Sequence, residues 1–165
     1  MKTLHKLDKH VIYLDELILQ VASLLDRPND INCAARAVEA VLIAVRNRLT
    51  FEQSIKFLNY LPLPFKAIYI KDWKVNDRVP DRIESMNEFI EEVYRLDSTV
   101  CNNDYCEYQE IKKIVKAVFK VIGFHVSSEE LKKELTFLPD DLRIYLEAEG
   151  VSIKSNMVDS SIWLS

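Results

Sequence analysis

The sequence predicts an all-α fold: two tandem, pseudo-symmetric four-helix units packed into one helical bundle domain. Three observations carry this. First, the chain repeats itself. A shift of 77 lays Ala34–Tyr69 over Ile111–Leu146 with eight identities in 36 positions: Val38/Val115, Ala40/Ala117, Val41/Val118, Glu52/Glu129, Lys56/Lys133, Leu58/Leu135, Leu61/Leu138 and Pro62/Pro139. Chance at ordinary residue frequencies gives about two. Second, apolar residues recur at helical spacing through both copies. Third, the chain holds two glycines, a scarcity that long helices tolerate and hairpins or Gly-rich phosphate loops do not.

Composition bounds the class. A chain of 165 residues suits one domain that buries roughly 70% of its unfolded surface. With 48% apolar and 29% charged residues it reads as globular rather than disordered. A formal charge of −4 argues against a nucleic-acid partner, which needs a basic face. Residues 1–77 hold 11 basic and 9 acidic groups, a net +2, whereas 78–165 hold 11 and 17, a net −6; opposite signs favour docking of the halves. The charged start, Met1 to His10, leaves no signal-peptide core, and Val11–Leu25 carries Asp15 and Glu16 and is too short to span a bilayer. A cytoplasmic protein with no membrane partner is therefore expected. Its three cysteines read as reduced thiols.

Each element has its own signal. Leu4, Leu7, Val11, Leu14, Ile18, Val21 and Leu25 form a heptad seam, and Ile12, Leu17, Leu19 and Leu24 widen it, so this first helix should be covered on more than one side, by its own neighbours or by a second copy. Arg27-Pro-Asn-Asp is a turn, with Asp30 or Asn32 as the N-cap of a second helix whose small residues allow close packing. Thr50 and Gln53 make a capping box for a third helix, about 51–60, and Ser127 with Glu130 repeats that chemistry; Val126 and Leu131 add a hydrophobic staple in the copy. Pro62 and Pro139 open short fourth helices, with Phe65, Ile68 and Tyr69 inward in one unit and Leu142, Tyr145 and Leu146 in the other. Ile83 to Leu96 counterparts the end of the first helix at a shift of 71, which leaves six extra residues in the loop Asp97–Cys106. Residues 1–150 are thus expected to form one domain of two repeats, about 4–73 and 83–149, with a linker at 74–82 and a tail at 151–165.

With both units laid out, residues 34–73 and 84–146 resemble the bacterial family called domain of unknown function 2267. The residues that carry the resemblance are Val45-Arg46-Asn47-Arg48-Leu49, Thr50-Phe51-Glu52, Leu61-Pro62 and Tyr69-Ile70-Lys71-Asp72-Trp73. The family's pattern has a glycine where this chain has Asp72. The resemblance implies an all-α protein and supplies no activity.

The residues themselves offer little chemistry. His125 stands at a helix end, where a cationic or hydrogen-bonding role is usual. No Glu-x-x-His occurs, which removes half the ligands of a di-iron bundle site. Cys101 and Cys106 have no second pair. No catalytic residue, cofactor or metal site is predicted. A helix-turn-helix reader fails because the third helices are acidic or offer only Lys56. What remains is a basic and aromatic end of the first unit, Arg46, Arg48, Lys66, Tyr69 and Trp73, with Trp163 in the tail: a partner surface, or helix-end residues with Trp73 as a lid. The function expected is a non-enzymatic protein-interaction or self-association module, binding a protein partner or a second copy. The alternative is a carrier or enzyme with an apolar pocket between the units.

Overall fold

Seven α-helices and no strand form among the residues that the computed structural model describes, 4–75, 85–97, 108–125, 136 and 138–148, with side chains from Tyr13 to Glu147 within those ranges. They are α1 (Leu4–Leu24), α2 (Ile31–Arg46), α3 (Phe51–Tyr60), α4 (Leu63–Ile70), α5 (Met86–Leu96), α6 (Tyr108–Phe124) and α7 (Asp140–Ala148). The second capping box and its staple, the loop with Cys101 and Cys106, and the tail with Trp163 lie outside the described residues.

Local chemistry sets the helix ends. α1 closes in a Schellman turn: Arg27 N–H bonds Ala22 O at 2.9 Å and Asp26 N–H bonds Ser23 O at 3.1 Å, with Asp26 left-handed at φ 57. Asp30, not Asn32, caps α2 by accepting from Cys33 N–H at 3.0 Å. Thr50 Oγ1 accepts from Gln53 N–H at 3.2 Å while Gln53 Oε1 accepts from Thr50 N–H at 2.9 Å, a complete capping box that restarts the chain as α3. Pro62 is the N-cap of α4, and Pro64 takes a first-turn position where its missing N–H costs nothing. In the second half, the Asp141 carboxylate accepts from Met86 N–H and from Leu142 N–H, each at 2.8 Å. One negative group thus faces the positive ends of both α5 and α7.

α2 and α6 are the core helices. On α2, Ala34, Ala37, Val38, Ala40, Val41, Leu42, Ala44 and Val45 are buried, more than one face's worth, and the helix packs on α1, α4, α5 and α6. The alanines among them let so many neighbours come close. α6 buries Ile111, Ile114, Val115, Ala117, Val118, Phe119, Val121 and Ile122, each 77 positions after one of those α2 residues, and packs on α1, α2 and α5. α4 and α7 begin 77 residues apart, at Leu63 and Asp140, and bury Phe65 and Tyr69 in one, Leu142 and Leu146 in the other.

Two expectations shift by small amounts. Phe89, Ile90 and Val93 on α5 are buried as Leu17, Ile18 and Val21 are on α1, a shift of 72 rather than 71. The helix ends explain it: α1 runs into a left-handed turn at Asp26, whereas Asp97 ends α5 extended at φ −147. On α1, Leu17 is fully covered, but Leu19 and Leu24 remain 40% and 39% exposed.

Candidate functional site

The place where α2 meets the end of α4 is built around Arg46, in the last turn of α2. Its guanidinium donates to Tyr69 O at 2.6 Å and to Lys71 O at 3.0 Å. It thereby takes up carbonyls that the end of α4 would leave without partners. Burial lowers the Arg46 pKa, with the charges of Asp72 and Glu39 opposing. The Lys71 ammonium pairs with Glu39 on α2 at 3.0 Å, tying the same helix end down a second time.

Tyr69 is fully buried, so the structure corrects its expected place on a surface. It stands at an inward position of α4, the same spacing that marks Phe65 and Tyr69 as core candidates. Its hydroxyl donates to the buried Ser54 Oγ at 2.9 Å, and its ring meets Phe57 at 5.6 Å and Trp73 at 5.9 Å. Burial pushes the phenol up to about 12. Trp73 is half-buried over Tyr69 and also meets Phe51 at 5.8 Å. Arg48 turns the other way, donating to Ala44 O at 3.0 Å and lying over the Phe89 ring of α5 at 5.5 Å. Lys66 is half-buried on α4. Arg46, Tyr69 and Trp73 are brought together, and Arg48 is not among them.

These residues are also the ones that carry the family resemblance. The family described as "Uncharacterized conserved protein (DUF2267)" matches residues 14–145. The chain belongs to the DUF2267 family. No curated protein matches it. The DUF2267 match runs from within α1 into α7. Its motif residues hold α2, α3 and α4 to one another: Thr50 caps α3, Leu61 and Pro62 join α3 to α4, Arg46 caps α4 and Trp73 closes the end. Asp72, at the family's glycine position, keeps φ 52, so the left-handed turn is present without glycine.

A feature that sequence reasoning missed lies on the outside of α4. Leu63 and Ile70 are 52% and 51% exposed, with exposed Ala67 between them. Their spacing of four and three puts them on one face. The signal was present in the composition: α4 has one charged residue in eight and is apolar on all sides. A helix of that kind is ordinarily covered all round. The matching face of α7 reads Asp140, Ile144 and Glu147 instead. Phe51 and Ile55, one turn apart on α3, are exposed as well.

On the opposite side, His125 joins the end of α6 to α1. The Tyr13 hydroxyl lies 3.1 Å from Nδ1 and Gln20 Oε1 lies 3.4 Å from Nε2, and burial lowers the His125 pKa. Both ring nitrogens thus lie within hydrogen-bond distance of α1 side chains. Near the start of α6 a cleft of about 250 Å³ opens between the α1–α2 turn and α6. Asp26, Arg27, Glu110 and Lys113 line it beside Leu25, Cys33 and Ile114, a mixed charged and apolar wall. Among the described residues no group of three or more His, Cys, Asp or Glu side chains gathers as a metal site, and no helix is long and apolar enough to cross a membrane.

Proposed function

We propose that this DUF2267-family chain is a non-enzymatic self-association module, and that a second copy covers the outer face of α4. The observation that carries this is the exposed row Leu63, Ala67 and Ile70. Single exposed apolar residues are ordinary; a row along one face of a short helix is not. The row is nearly its own complement. Two α4 helices laid antiparallel about a two-fold axis set Ala67 against Ala67 and Leu63 against Ile70. The small central residue lets the backbones approach, and the larger ones interlock on either side. Lys71 is held back by Glu39, which keeps its charge off the row.

The scaffold behind that face is best read as two equivalent units about an approximate two-fold. Helix starts recur at matching places, Ile31 with Tyr108 and Leu63 with Asp140, and the cross-packing of α2 on α5 is answered by that of α6 on α1. Arg48, just past α2, reaches Phe89 on α5; His125, at the same place past α6, reaches Tyr13 on α1. Duplication followed by change on one copy gives a module in which α4 keeps an apolar outer face where α7 carries Asp140 and Glu147.

Light scattering on the full chain at high micromolar concentration tests the reading. A dimer is expected for the natural sequence, and a monomer with unchanged helical content for Ala67→Glu. A natural chain that stays monomeric, or a dimer indifferent to Ala67→Glu, removes α4 as the contact.

A further inference from the structure

The two junctions between the halves differ, and the difference makes a site. At one junction Arg36 on α2 closes on Asp97 at the end of α5, Nε to Oδ2 at 3.1 Å. At the other, Lys113 stands where Arg36 does and Asp26 lies one residue past the position that matches Asp97; both stand in the cleft and make no ion pair among the described residues. Arg27, in the same cleft, makes two long side-chain contacts. Its Nη1 lies 4.0 Å from Cys33 Sγ and its Nη2 lies 3.8 Å from Glu110 Oε1. A guanidinium carries five N–H donors suited to a planar anion, and here none reaches an oxygen of the described residues at hydrogen-bond distance. Leu25 and Ile114 supply apolar wall, and Cys33, 1% exposed, forms part of the floor.

We infer that this cleft binds a small zwitterion of the α-amino-acid type. Its carboxylate lies on Arg27 with Lys113 alongside, its ammonium meets Asp26, and its apolar side chain rests on Leu25 and Ile114. Charge balance selects this class: a dianion would face Asp26 and Glu110, and a cation would face Arg27 and Lys113. Size selects it too, since the cleft's 250 Å³ accommodates about eight water-sized groups, too few for a nucleotide. Glu110 holds the guanidinium toward the cleft from the α6 side. Asp26 sits at a left-handed position that glycine fills at least cost, and its side chain serves no contact among the described residues. The site shares no residue with the outer face of α4, so either one stands without the other.

The test is an amide-shift titration of the full-length chain with three probes: L-leucine, 4-methylpentanoate, which lacks the ammonium, and 3-methylbutylamine, which lacks the carboxylate. Leucine is expected to shift amides of residues 25–33 and 110–114 saturably in the millimolar range. Each truncated probe should bind weaker by about tenfold or more, the worth of one charge-assisted contact. Arg27→Gln should weaken leucine by about the same factor and leave the amine unaffected. The Arg27 side chain is 37% exposed, so the substitution opens no cavity; Lys113→Gln, checked by the same titration and a thermal melt, repeats the test at a second exposed site. Absence of saturable shifts in those amides, a truncated probe that binds as tightly as leucine, or indifference to both substitutions overturns the assignment.

Discussion

The Tyr69 hydroxyl donates to Ser54 Oγ at 2.9 Å, and neither residue has any exposed surface. The sequence has Leu146 and Leu131 at the positions 77 residues on. The polar pair holds α3 against α4 in a fixed register, because the hydroxyls are satisfied only when they meet. It also gives the chain two responses that can be measured.

The first is a non-additive response to mutation. Tyr69→Phe leaves a buried serine without its donor, and Ser54→Ala leaves a buried phenol without its acceptor. Each should cost about 1–3 kcal/mol, while the double variant should cost clearly less than the two together, since an unmet buried polar group costs more than an absent one. Urea unfolding of the four proteins, with unchanged m-values, measures this.

Alkaline pH supplies the second. Tyr69 titrates near 12 in the fold and near 10 when unfolded. Above about pH 10 the unfolded chain loses this proton and the folded chain keeps it. The stability present below pH about 10 is therefore lost as pH rises through about 12, by up to ~2 kcal/mol. Tyr69→Phe should lack this part of the decline. Thermal melts of both proteins at matched pH give the difference directly, and lysines and the other tyrosines cancel in it.

Much of this arrangement was legible beforehand, and the exceptions have physical causes. The Thr50–Gln53 box and the α3 limits could be read because capping depends on three or four adjacent residues. Phe65 and Tyr69 could be placed inward from spacing alone. Arg46 could not be separated from a surface cation, because its partners are backbone carbonyls 23 and 25 residues away and backbone leaves no trace in composition. The cleft was invisible for a related reason. Its walls come from the α1–α2 turn and from α6, far apart in the chain, and only the fold brings them together.

A separate response concerns Arg46. Two carbonyls of the α4 end depend on one guanidinium, so Arg46→Ala should cost about 2–3 kcal/mol, within the range for hydrogen bonds to a charged donor. Arg46→Lys, with a point charge instead of a fork, should recover part of that. Hydrogen exchange should show the amides of residues 69–73 opening first in both variants, ahead of α2.

Acid pH acts through the other half. In its neutral form His125 accepts from the Tyr13 hydroxyl at Nδ1 and donates from Nε2 to Gln20 Oε1. Protonation removes the acceptor and places a cation where burial disfavours it. The folded pKa lies below the ordinary value, so this stability is present above about pH 6.5 and is lost as pH falls through the folded value. The ring is partly exposed, which keeps the effect small. In melts at matched pH, His125→Gln should lack this part of any decline between about pH 7 and 5.

Glycine should act in opposite directions at two helix ends. Gly123, in the last turn of α6, has nothing within 4 Å of the place where a Cβ would stand. Alanine there narrows the unfolded chain's freedom without a clash, and Gly123→Ala should stabilise by about 0.5–1 kcal/mol. Asp72 ends α4 at φ 52, a conformation in which any Cβ crowds the following carbonyl. Asp72→Gly removes that crowding and should stabilise by up to about 1 kcal/mol, less what remains of its attraction for Arg46. The two sites lie at different helix ends, so the gains should add, raising Tm by roughly 2–4 °C per kcal/mol for a chain of this size. A melt that falls with Asp72→Gly would mean that the carboxylate's pull on Arg46 outweighs the backbone, which Arg46→Ala in the same background would reveal by erasing the loss.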